Sequence, residues 1–225
     1  MRSRQLLASL LAASSVFALN SVQAGVVTTT GASLITAPGS IVPNTAAIEN
    51  NTLASVFNEL QNVTLLQTAN VNATTSGFFN SLTSLTLGSI AAGTLVSSHY
   101  LHADPVGSSG TVYTYRGTVT FDADILGVSA LNAQIVDTNF LGAPGTTYTT
   151  SGNVNGLDYG DGTLDSFTIS NDRRTLSFVL QAWAGADALR VITAGNAVPE
   201  PGALGLAFAA LGALALTRRR QVAQA

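Results

Sequence analysis

An all-β domain of the β-sandwich or jelly-roll type is predicted over residues 25–197, and three observations predict it. Thr, Ser, Asn, Gly, Val and Leu dominate this stretch and lysine is absent from the whole chain, so residues that suit a pleated strand outnumber long charged helix formers. Gly, Asn, Asp and Pro recur between short apolar runs, where tight turns need them. The clearest alternation flanks Asn171-Asp172-Arg173-Arg174: Leu164, Phe167 and Ile169 on one side, Leu176, Phe178 and Leu180 on the other, which is the pattern of a hairpin.

Taken in order, residues 25–45 alternate weakly and turn at Pro38-Gly39 and Pro43-Asn44, leaving Ile41 and Val42 as a short edge strand. Leu53, Val56, Phe57 and Leu60 fit a helical stripe capped by Asn51 or Thr52. Nearby asparagines weaken a helix there, so two strands, 54–60 and 63–68, joined at Gln61-Asn62, are expected instead. Residues 69–98 read as a loop, a strand and a further strand entering His99, punctuated by Gly88 and Gly93. Val112, Tyr113, Tyr115, Val119 and Phe121 alternate in part, and Ile125, Leu126 and Val128 form an apolar cluster. Leu131, Ala133, Ile135 and Val136 lead to a turn, Pro144-Gly145 marks another, and Trp183, Leu189, Val191 and Ile192 suggest a last strand ending near Thr193.

The two ends of the chain follow different rules. Arg2 and Arg4 precede an apolar run from Leu6 to Leu19, and Val22-Gln23-Ala24 places small residues at the −3 and −1 positions of a cleavage site before Gly25. Residues 1–24 therefore read as a signal peptide, and secretion translocon passage is implied. At the other end Val198-Pro199-Glu200-Pro201 keeps the chain extended. The uncharged segment 203–217 comes next, and Arg218-Arg219-Arg220 follows it. As a helix, that segment is short for a hydrocarbon core of about 30 Å, and flanking residues or local thinning would make up the difference. The arginine block predicts a transmembrane helix with its C-terminus inside.

This tripartite tail, residues 198–225, resembles the PEP-CTERM sorting signal of Gram-negative bacteria. The resemblance implies an exosortase, a membrane-embedded cysteine peptidase, as partner, with cleavage near Pro199-Glu200-Pro201. It also implies an extracellular or cell-surface destination, often among polysaccharide or biofilm matrix. Within the predicted ectodomain, His102-Ala103-Asp104-Pro105, Gly117-Thr118-Val119-Thr120-Phe121-Asp122 and Arg190-Val191-Ile192-Thr193 are similar to an ectodomain type recurrent in PEP-CTERM proteins. That likeness implies a shared fold and an exported setting and carries over no catalytic residue.

Composition narrows the chemistry. Residues 25–197 hold eleven acidic and four basic residues, a net charge near −7, which is a poor match to a nucleic-acid backbone. No cysteine is present, so neither a disulfide nor a thiol nucleophile is available. The foremost candidate site is the loop Asp158-Tyr159-Gly160-Asp161-Gly162-Thr163-Leu164-Asp165. Its carboxylates at Asp158, Asp161 and Asp165, among glycines that permit tight curvature, suit calcium, although the spacing is not that of an EF-hand. The competing expectation is a solvated turn.

Asp122 and Asp124 would share one face of an extended strand and need a cation such as Arg116 or a metal between them. His99, His102 and Asp104 would suit zinc only if a turn converged them, because a strand points the two histidines to opposite faces. Tyr113, Tyr115, Tyr148, Tyr159 and Trp183 could form a sugar-stacking platform. No Gly-x-Ser-x-Gly elbow and no His-Glu-x-x-His helix occurs. Asn-x-Thr triplets begin at Asn50, Asn62 and Asn72. The expectation is a non-enzymatic surface or extracellular-matrix protein of structural or adhesive type. A calcium-assisted carbohydrate-binding module and a polysaccharide-active hydrolase are the alternatives.

Overall fold

The computed structural model describes residues 25–43, 48–107, 110–150, 156–158, 164–183 and 185–196. The signal peptide, the sorting motif and the transmembrane segment read from the sequence lie outside them. The described residues build two main sheets. The first has five strands in the order β1 (Val26–Thr30), β9 (Tyr113–Phe121), β12 (Thr175–Ala182), β11 (Ser166–Ile169) and β6 (Gly77–Phe79), every pair antiparallel. The second runs β10 (Ile125–Ser129), β13 (Asp187–Ala194), β8 (Leu95–Ala103), β3 (Ala54–Asn58) and β2 (Ala32–Leu34), with β4 (Val63–Thr64) also on β8. Only β2 and β3 run parallel in it. A small ladder joins β5 (Ala69–Val71) to β7 (Gly88–Ile90).

The two sheets face each other across one apolar layer. Tyr115, Val119, Phe121, Phe167, Leu176 and Phe178 enter it from the five-stranded sheet, and Val56, Leu101, Leu189 and Val191 from the six-stranded one. Phe79 and Phe167 stack there at 4.7 Å between ring centroids. Each such side chain contributes about 1.5–3 kcal/mol by leaving water. The fold is thus all-β and sandwich-like, as composition and alternation predict.

The predicted hairpin is present as β11 and β12, paired Ser166 with Val179 through Ile169 with Leu176, although Leu164 stays outside the strand and exposed. The expected strands at 54–60 and 63–68 are present in shorter form as β3 and β4. Asn62, in the left-handed region at φ 53°, turns between them. Neither Asn51 nor Thr52 caps a helix; Asn50 Oδ1 accepts the Thr52 and Leu53 amides and directs the chain into β3.

The chain changes sheets at Gly31, between β1 in one and β2 in the other. Gly31 has φ 66°, and a Cβ there would sit 1.9 Å from the carbonyl oxygen of Arg116, so no other residue fits.

Two expectations fail for identifiable reasons. Residues 131–136 do not simply lead to a turn but form helix α1 (Asn132–Asp137), which has no local side-chain cap. Asn72 instead holds the chain entering the helix, from across the fold. Its Oδ1 accepts the Ala130 and Leu131 amides at 2.7 and 2.9 Å, and its Nδ2 donates to Gln134 at 3.0 Å. A six-residue helix is too short to stand alone, so tertiary contact decides it. Ile41 and Val42 form no edge strand. The chain makes one bridge at Ser40 and Thr147, and Ile41 is fully buried.

That burial belongs to a second layer. Ile41, Ile48, Phe57, Tyr100, Ile135 and Ala188 pack together on the side of the six-stranded sheet away from the five-stranded one. Leu65, Val71, Ile90, Val96, Leu141 and Ile192 form a third cluster. The central strands β8 and β13 are therefore covered on both faces, which explains why neither alternates in sequence.

Candidate functional site

Asp165, just before β11, is 2 % exposed and uses its carboxylate on backbone. Oδ1 accepts the Gln181 amide at 2.7 Å and Oδ2 accepts the Asp158 amide at 3.2 Å. Gln181 extends the contact, accepting the Leu164 amide at 2.7 Å and donating to Thr114 Oγ1 at 2.9 Å. Asp165 thus ties the end of the acidic loop to β12. Asp158 is exposed, and Asp161 lies outside the described residues. Among the described residues no group of three His, Asp or Glu side chains is placed to hold a metal ion.

Asp122 and Asp124 do not share a strand face, because β9 ends at Phe121 and both lie in the turn before β10. Asp124 pairs with Arg174 at 3.2 Å in an exposed contact, rather than with Arg116. Asp122 accepts the Gly25 amide at 2.9 Å. His99 and His102 both stand on β8 and point to opposite faces, as strand geometry requires.

His99 sits in a constellation that sequence inspection does not reveal. One ring nitrogen, Nε2, is 3.1 Å from Thr193 Oγ1, and the other, Nδ1, is 2.8 Å from Asn58 Oδ1. Hydroxyl, imidazole and amide in that order have the connectivity of a nucleophile, a base and an orienting group. Burial decides the matter against chemistry. Thr193 and His99 are 0 % and 1 % exposed, and the imidazole lies 4.7 Å from the Phe121 ring in the layer between the sheets. Burial pushes its pKa down to about 3, so the ring is neutral, and it ties Asn58 of β3 to Thr193 of β13 within the six-stranded sheet.

The opposite face of the six-stranded sheet carries the most developed polar cluster. Arg190 on β13, fully buried, donates through Nε to Glu59 Oε2 at 2.8 Å and through Nη2 to Oε1 at 2.9 Å. Its other donors reach the Ile135 carbonyl at 2.6 Å, Thr138 Oγ1 at 2.9 Å and Asn139 Oδ1 at 3.1 Å. Ser98 donates to Glu59 Oε2 at 2.5 Å.

The guanidinium lies 5.2 Å from the centroids of both Tyr100 and Tyr148. Burial opposes the Arg190 charge, but the Glu59 carboxylate outweighs it and holds the pKa above the ordinary arginine value. Burial, and then the Glu59 charge in part, push both tyrosine hydroxyls well up, so they stay protonated. A bidentate pair with every partner present and no access to solvent is structural. The signal in sequence was a lone arginine within Ala188-Leu189-Arg190-Val191-Ile192, and nothing local named Glu59 as its partner. On the same face His102 and Asp104, 2 % and 4 % exposed, approach only to 3.6 Å. Neither imidazole nitrogen has a hydrogen-bond partner among the described residues.

The aromatic platform divides. Tyr115 is in the shared core and Tyr148 is against Arg190. Tyr159 lies outside the described residues, Tyr113 is half-buried, and Trp183 is exposed just beyond β12. Of the Asn-x-Thr triplets, Asn72 is fully buried and cannot accept a glycan.

The open face of the five-stranded sheet carries hydroxyls instead. Thr30, Thr118, Ser177 and Thr168 stand side by side across β1, β9, β12 and β11, with exposed Phe78 of β6 next in the same row. Thr28, Thr120 and Thr175 form a second row, and Thr120 and Thr175 hydroxyls lie 3.2 Å apart. Among these strand positions Arg116 is the one charge.

Val198, Pro199, Glu200, Pro201, Arg218, Arg219 and Arg220 lie outside the described residues, and no described helix is long and apolar enough to cross a membrane. The class that the geometry defines is an all-β, sandwich-like domain with buried structural polar clusters. No family model matches the chain, and no curated protein or solved structure does either.

Proposed function

We propose that the chain is an exported surface or extracellular-matrix protein of structural or adhesive type. In this proposal it crosses the inner membrane through the secretion translocon, is held transiently by segment 203–217, and is processed by an exosortase at Val198-Pro199-Glu200-Pro201. The ectodomain between leader and membrane helix is the functional part. The observation that supports the reading best is the open five-stranded face. Its hydroxyl rows and single charge suit uncharged polysaccharide, whose own hydroxyls pair with groups that both donate and accept. Nucleic acid needs positive charge that this face lacks, and a protein interface needs a larger apolar centre than Phe78 and Val179 provide.

The test has two arms. Pro199→Ala with Pro201→Ala in the full chain should leave it in the membrane fraction of an exosortase-bearing host. Thr118→Glu with Ser177→Glu should abolish co-sedimentation with neutral polysaccharide while leaving the melting curve in place. Release of the tail variant, or unaltered sedimentation of the face variant, would count against the corresponding half.

A calcium-assisted carbohydrate module is the second reading. It draws on Trp183, exposed two residues beyond the Gln181 amide that Asp165 holds. A rise in melting temperature with calcium, reversed by chelator, would support it. No shift would remove it.

A further inference from the structure

Asp122 grips both borders of the described domain. Its Oδ1 accepts the Gly25 amide at 2.9 Å, and its Oδ2 accepts Nδ2 of Asn196 at 3.3 Å. Its own amide donates to the Gly25 carbonyl at 3.2 Å. Gly25 is thus held on both sides by one residue 97 positions away. The β1–β9 register shifts between Val26 and Thr28, so the ordinary ladder is interrupted where the Asp122 contacts take over. Asn196 stands two residues beyond the end of β13, so the carboxylate also touches the chain where it leaves the sheet toward the predicted sorting motif.

Gly25 is also the first residue after the predicted leader. Hydrolysis of the Ala24–Gly25 bond by a signal peptidase adds one water, leaving a carboxylate on Ala24 and an amine on Gly25. That α-amine, with an ordinary pKa of about 7.7–8.0, takes up a proton at neutral pH. We propose that Asp122 is the binding site for this new α-ammonium. Leader removal turns a neutral amide contact into an ammonium–carboxylate pair and fastens edge strand β1 to β9.

The surroundings of Asp122 fit that role. The contact is part-buried, so water screens it less than an open surface pair. The two nearby guanidinium groups are already engaged, Arg174 with Asp124 and Arg173 with the Ile125 carbonyl. The inference rests on reading residues 1–24 as a leader.

The absence of lysine supplies a clean test, because the α-amine is then the one primary amine of the processed chain. The full precursor is expressed, the processed chain is purified, and its N-terminus is sequenced. Half is acetylated, and melts are compared for wild type and Asp122→Asn. Acetylation is expected to lower the wild-type melting temperature by about 2–4 °C and to leave Asp122→Asn unchanged. Equal shifts in both chains, or none in wild type, overturn the clasp. The wild-type comparison stands alone if Asp122→Asn does not fold. A first residue other than Gly25 overturns the inference through the leader reading instead, so the two failures are distinguishable.

Discussion

The two large sheets share one core yet treat their far faces in opposite ways. The five-stranded sheet leaves its far face to solvent, and its strands keep the period of two: in β12 the buried residues Leu176, Phe178, Leu180 and Ala182 alternate with half-buried Thr175, Ser177, Val179 and Gln181. The six-stranded sheet is covered on that side by α1 and the loops around Ile41 and Tyr148. Its central strands are buried on both faces and carry polar groups inward, among them Arg190, Ser98 and His99. A hydroxyl or charge on the open face can be satisfied by water, whereas on the covered face it must find its partner within the protein. The same residue types therefore have different energetic weight on the two sheets.

The largest expected break is at the buried ion pair. Arg190→Met or Glu59→Leu alone should cost about 3–5 kcal/mol, because each leaves a desolvated partner behind. The double replacement by apolar residues should cost less than either single change. Urea unfolding of the four chains measures this, and additive losses would contradict it.

Acid should come next. The buried His99 has its folded pKa lowered from 6.5 to about 3, so between these values the unfolded chain binds the extra proton. Stability is complete above pH 6.5 and falls toward pH 3, by up to about 1.4 kcal/mol per pH unit from this group. Denaturation midpoints at pH 7.5, 5.5 and 4.5 should fall less steeply for His99→Gln than for wild type. Parallel slopes would refute the assignment.

The most direct comparison removes one hydroxyl from each sheet. Ser98→Ala, which takes a donor from Glu59, should cost about 1–3 kcal/mol. Thr118→Val on the open face should stay within about 0.5 kcal/mol. Similar losses at both positions would mean that the two faces do not differ as described.

The same contrast accounts for what was legible. The β11–β12 hairpin was readable because one face is wet, so alternation survives, and because Asn171-Asp172-Arg173-Arg174 supplies turn chemistry, with Arg173 at φ 59°. Strand β13 was readable only as an apolar run, and its arginine had no visible partner. Helix α1 was not legible because the residue that holds its entry, Asn72, lies 58 residues upstream of Ala130. Asp122 and Asp124 were grouped by a two-residue period that holds only within a strand, and the turn after Phe121 sends them to Gly25 and Arg174. The acidic loop was found by composition, but the role of Asp165 as an acceptor for two distant amides depends on the path of β12.

By itself the sequence determined the all-β class, the best hairpin and the absence of lysine and cysteine. These follow from local rules, namely side-chain period, turn chemistry and composition. Tertiary structure alone decided which face of which sheet is covered, where Arg190 finds Glu59, why the His99 imidazole is neutral and what Asp122 holds. Each of those depends on groups brought together from far along the chain, and a buried charge or amide is defined by partners that no local pattern specifies.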